Sequence, residues 1–259
     1  MIATRSFRIA AAGALLVLGV LLVHAAHAAG AREGGPLAIV ITYHVPPANR
    51  AAFRKAMEEI EVPRFRRWKE DRVLQDARIL MNRYADSATW DAMALITFAA
   101  YADVERWNGI ERTSPAGLSP ATLSLTSAIE TAPGDIVRER GAGQEHAAVL
   151  VIPYEVIVPA NEYLAYLDGY VLPQVDGWRD EGMLSRYGIF IARYPAGRPW
   201  QSMLILEYRD DAALGERDAT TAKVRARLAS DTKWKAISDT KKNVRNEKAP
   251  VIADALPVR

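Results

Sequence analysis

The chain reads as an α+β protein built from two successive β-α-β-β-α-β units packed sheet to sheet, and three observations predict this. A stretch of sequence occurs twice. Pro63, Trp68, Leu74, Ile79, Arg83, Tyr84, Trp90 and Met93 recur 110 positions later as Pro173, Trp178, Leu184, Ile189, Arg193, Tyr194, Trp200 and Met203. Such a spacing marks an internal repeat. Each copy also carries the same succession of short β-branched runs and helical 3.6-residue patterns. Finally, an antiparallel sheet with helices on one face leaves its other face bare, and the second copy supplies the cover.

The elements follow in order. Arg5 and Arg8 precede an uncharged apolar run over 9–23 and an Ala26-His27-Ala28 site. That pattern predicts an export leader over 1–28, cleaved after Ala28, and a periplasmic or secreted product with no stable membrane anchor. The apolar run is shorter than the roughly 20 residues of a membrane span. Residues 29–36 are small and polar, a flexible lead-in. The first unit, 37–143, begins with a strand over 37–45. A helix follows with Phe53, Met57 and Ile60 on one face, then a bend at Pro63 and a short second helix. Strands over 74–84 and 91–98 flank a turn at Asp86-Ser87, helices follow over 102–111 and 118–129, and a short strand at 135–137 ends the unit. Residues 138–144, with Gly141 and Gly143, read as the linker. The second unit, 144–259, repeats the order, from a strand over 147–157 to a last strand over 249–256.

Composition narrows the chemistry. The chain has no cysteine, which excludes disulfides and thiolate metal sites. It has 33 Lys and Arg against 31 Asp and Glu, and without Arg5 and Arg8 the two balance. A balanced chain with no basic block gives no electrostatic case for nucleic acid. Phosphate-loop, zinc-protease and nucleophile-elbow motifs are absent, and no metal or cofactor is expected.

One constellation carries acid–base potential. On the first strand Val40, Thr42 and His44 share the less apolar face; on its copy Val151, Pro153 and Glu155 do, so these faces are assigned to the interior. With the first and third strands taken as parallel neighbours, Thr97 would approach His44, and Glu207 would approach Glu155. His44 with Glu155 and Glu207 would then form a catalytic acid–base set or a weak metal site. The same residues also fit wet strand ends, since unpaired buried carboxylates are costly. Arg83-Tyr84 and Arg193-Tyr194 are ligand-binding candidates for an anion at the barrel mouth. Alternatively the arginines pair with Glu70, Asp71 or their copies, or lie over Trp90 and Trp200. The tryptophans read as core anchors.

By this element order and these repeated residues, the chain resembles the dimeric α+β barrel (ferredoxin-like) superfamily in a tandem-duplicated, single-chain form, while matching no characterised family by motif. The resemblance implies a pseudo-dimeric α+β barrel, monomeric or weakly self-associating. It also implies a choice of functions, because fold does not fix function. One is the binding of a small, mostly apolar ligand between the sheets. Another is cofactor-independent isomerase- or monooxygenase-like chemistry on His44 with Glu155 or Glu207. A haem site would require His44, His146, Tyr43 or Tyr154 as axial ligand.

Overall fold

The computed structural model describes residues 37–144 and 147–258; the expected leader, the lead-in and His146 lie outside them. β1 (Ala38–His44) leads through a turn into α1 (Arg50–Ala56), a π-helical turn (Met57–Glu61) and α2 (Val62–Glu70). β2 (Asp76–Asn82) and β3 (Ala92–Thr97) follow, then α3 (Tyr101–Glu111), α4 (Pro120–Leu123) and β4 (Ala128–Gly141). Next come β5 (Ala148–Val156), α5 (Ala160–Tyr166), a second π turn (Leu167–Val171) and α6 (Leu172–Asp180). β6 (Leu184–Ala192), β7 (Ser202–Tyr208), α7 (Asp211–Gly215), α8 (Arg217–Leu228), α9 (Thr232–Thr240), β8 (Arg245–Glu247) and β9 (Val251–Leu256) complete the chain.

The strands run β7-β6-β4-β1-β3-β2-β9-β5, and β5 pairs back onto β7, so the sheet closes into an antiparallel barrel with β8 as an added pairing on β5. The sheets expected to stack are therefore joined edge to edge, through β4–β6 and β2–β9. Closure removes the four exposed edges that two separate sheets would present. Alternation along each strand then sorts side chains between two environments. Val40, Leu80, Met93, Leu95, Val149, Val151, Phe190, Met203 and Ile205 fill the interior, together with Trp90 and Trp200. Ile39, Ile41 and Tyr43 point out to the helices beside β1–β4, and Leu150, Ile152 and Tyr154 to those beside β5–β7. The face assignment and the core role of Trp90 and Trp200 agree with the sequence reading.

One local feature joins α1 to α2, and two local expectations are corrected. At Pro63, α1 passes through a π turn into the short second helix α2. Val62 donates to Met57 O, five residues back, and Leu172 does the same to Leu167 O. The wider turn takes up the hydrogen bond that Pro63 and Pro173 cannot make. The helix expected over 118–129 is a single turn, capped by the Ser119 side chain accepting from Thr122 N. The residues read as a linker, 138–141, are strand: β4 spans 14 residues because its second half pairs with β6. Its charges alternate between faces, Arg138 and Arg140 bonding Asp168 and Asp176 on the helices while Glu139 faces inward. Gly141 ends the strand at φ 97°, where a Cβ would stand 2.1 Å from Ser185 O.

Candidate functional site

The antiparallel ladder separates the predicted catalytic set. β1 and β3 are antiparallel, so Thr97 faces Ala38 across the ladder and sits at the opposite end from His44. In the split order the parallel strands are β1 and β2, with β3 between them. The same register puts Ser202 beside Tyr154 and Glu207 beside Val149. Glu155 and Glu207 are thus displaced by roughly 20 Å of strand at about 3.4 Å per residue. Glu155 is exposed and 3.7 Å from Lys248. His44 is half-buried at the strand end, its carbonyl accepting from Ser127 N. His44, Glu155 and Glu207 do not meet.

Glu207 belongs to a charged floor that closes the other end of the barrel. Its side chain is 4% exposed and pairs with Arg78. Arg186 bonds Glu139 at 2.5 Å and lies 4.0 Å from both Glu207 and Asp76. Burial pulls the Arg78 guanidinium below its ordinary range despite Glu207. Both halves contribute, and each buried charge has a partner of opposite sign, as low-dielectric surroundings require.

The predicted arginines are placed differently from either pairing expected. Arg83 Nε donates to Asp254 at 2.6 Å, and Arg193 Nε to Asp135 at 2.9 Å. The backbone repeats this, with Arg83 N bonding Ile252 O and Arg193 N bonding Pro133 O, each at 3.0 Å. Each arginine therefore ties its own half to the strand that crosses from the other. Tyr84 and Tyr194, one residue on, stand exposed.

The Arg83 staple borders a cavity. About 260 Å³ opens between α1, the end of β2, Asp91 and β9, on the helix side of the sheet rather than inside the barrel. Sequence reasoning missed Arg50, Arg54, Asn82, Asp91 and Asp254, which line it with Val45, Phe53 and Met81. Helical spacing aims Arg50 and Arg54 along one face of α1. Asp91 is buried, pairs with Arg50 and accepts from Val45 N at 2.7 Å. Arg50 also donates to Asn82 O at 2.9 Å. Arg54 donates to Asp254 at 2.7 Å and reaches Glu58 at 3.4 Å. Burial lowers the Arg83 pKa, but hydrogen bonds to Asp211 and Asp254 outweigh it and hold the group above its ordinary value. The sequence signal for it is the Arg50–Arg54 spacing, which stacks two guanidiniums on one helix face.

No protein-family model matches the chain, and no curated protein does. Solved structures do. A monooxygenase candidate of Lactobacillus acidophilus NCFM aligns over 86% of this chain and 95% of its own, at TM-score 0.56 and 8% identity. An anthrone oxidase-like protein aligns over 87% and 93%, at 0.54 and 11%. A monooxygenase candidate of Fusobacterium nucleatum aligns over 87% and 94%, at 0.54 and 13%. The fold is that of the dimeric α+β barrel proteins. At such identities the likeness fixes architecture and no residue role.

A haem-binding protein from Thermus thermophilus shares the fold at TM-score 0.50 and 12% identity. The tyrosines considered for an axial role do not fit it. Tyr43 is buried and donates to Ala116 O at 2.7 Å. Tyr154 is buried under the Arg245 guanidinium, 3.6 Å from its ring centroid.

Proposed function

We propose that this chain binds a small molecule in the cavity between α1, β2 and β9. The observation that carries the reading is a difference between corresponding positions. The Arg83–Asp254 staple has its counterpart in Arg193–Asp135, as a fold-maintaining pair should. Arg50, Arg54 and Asp91 instead correspond to Ala160, Leu164 and Gln201. Gln201 keeps the structural bond alone, accepting from Val156 N at 2.9 Å where Asp91 accepts from Val45 N. The added charges serve the cavity rather than the barrel. Buried apolar side chains line the interior expected to take an apolar ligand, which favours a site outside it.

The same account includes tandem duplication, with repeats at 37–143 and 144–259, and export after cleavage at Ala28. The coincident π turns support the duplication, since Met57–Glu61 and Leu167–Val171 stand 110 apart. The fold neighbours described as monooxygenase candidates favour a second reading, in which this cavity holds a substrate. Ala51, on the exposed side of the cavity, provides the test. Native mass spectrometry of chain purified from its own host should show a retained small molecule that Ala51→Trp removes while the melting temperature holds. Equal retention by both forms would place the ligand elsewhere. Intact mass of the same sample checks cleavage, and a chain still beginning at Met1 would contradict export.

A further inference from the structure

The cavity's lining is unbalanced in charge and divided in character. Three guanidiniums, Arg50, Arg54 and Arg83, face two carboxylates, Asp91 and Asp254. A guanidinium presents five N–H donors in a planar fork. Arg50 and Arg83 spend theirs on buried or bridging partners: Asp91 and Asn82 O for Arg50, Asp254 and Asp211 for Arg83. Arg54 is the least committed. Its side chain is 39% exposed, and of its two bonds only the one to Asp254 is of ordinary length. Val45, Phe53 and Met81 form an apolar floor beneath. The volume equals that of about nine waters at about 30 Å³ each, at the small end of ligand pockets.

Resting on the reading of this cavity as a ligand site, we infer that its ligand is a small organic acid, its carboxylate held by Arg54 with Arg50 behind it and its apolar body on Val45, Phe53 and Met81. Arg54 exchanges its 3.4 Å contact with Glu58 for a charge-assisted bond to the acid. Arg83 and Asp254 fix the position of Arg54 and keep their own bonds. A neutral ligand of the same shape leaves Arg54 on Asp254 and Glu58 and gains no charge-assisted bond from it.

Titration calorimetry with benzoate and with benzamide, its neutral isostere, tests this on the intact chain. Benzoate is expected to bind at least tenfold tighter than benzamide, and Arg54→Met to bring benzoate down to the affinity of benzamide while the melting temperature holds. Equal affinity for the two probes, both lost in Ala51→Trp, would keep the ligand site and overturn the organic-acid assignment. No binding of either probe would overturn both. Inorganic phosphate should not displace benzoate; displacement would assign the site to a bare oxyanion and also overturn the proposal. Because Arg54 is half-exposed and Asp254 keeps Arg83 as partner, the variant leaves no buried charge alone.

Discussion

The two halves of the barrel share a skeleton and differ in what they place between helix and sheet. Around β1–β3 the helices rest on an apolar cluster in which Phe65 and Trp107 lie 6.1 Å apart, and Trp68 meets both edge-on. Around β5–β7 the same space holds Tyr163, Tyr166, Tyr170 and Trp234 in successive contact, with Arg245 over Tyr154 and Tyr166. At the strand ends the polarity reverses. The first half gathers arginines and aspartates around a cavity, and the second has Ala160, Leu164 and Gln201 there. The Arg83 and Arg193 staples tie strands of the barrel together, whereas the positions that differ at this offset, Arg50, Arg54 and Asp91, line the cavity.

The largest effect should come from separating the halves. Neither half can pair β4 with β6 or β2 with β9 alone, and each would expose the apolar side of its sheet. Residues 37–143 expressed alone should aggregate or self-associate. A soluble monomer melting cooperatively, seen by light scattering and calorimetry, would break the account of one shared barrel.

Next is the charged floor. Arg78→Leu leaves Glu207 buried without its closest partner and should cost about 3–5 kcal/mol in urea unfolding, whereas Arg78→Leu with Glu207→Leu should recover much of it. If the double variant were no better than the single, the pair would not be the source of the loss.

The tryptophans sharpen the comparison. Trp178 is buried and Trp68 only partly so. Trp178→Ala should cost about 3–5 kcal/mol, as for other buried aromatics, and Trp68→Ala clearly less. Equal losses in denaturant unfolding would mean that burial does not set the difference.

The smallest effect concerns alkali. Burial raises the phenol pKa of Tyr154, Tyr166 and Tyr208 in the second half, and of Tyr43 in the first; that of Tyr187 is pushed up to about 12, by burial and then by Asp176. A folded-state pKa above the unfolded value of about 10 means that the unfolded chain loses protons first. Stability should therefore be intact below pH 10 and fall between about 10 and 12. Tyr166→Phe should make that fall shallower in urea midpoints collected at successive pH values. An unchanged slope would remove Tyr166 from the cause.

Much of the barrel was legible because it rests on signals that repeat. Strand alternation gave the correct face to Val40 and Val151, and the 110-residue offset located the matching helices and hairpins. The failures were non-local. Nothing in residues 138–141 says that they pair with a strand some 50 positions on, so their charges read as a linker. An antiparallel register, rather than composition, separates Glu207 from Glu155. The cavity was hidden because Arg50 and Arg54 look like any solvated helix face until β9 brings Asp254 beneath them.

The specialisation of the first half is tested most directly by amide chemical shifts during a benzoate titration. The account predicts saturable shifts at Arg50, Arg54, Asn82 and Asp91, with Ala160, Leu164, Ala192 and Gln201 unmoved. Shifts at the second set, or at interior residues such as Leu95 and Ile205, would contradict it.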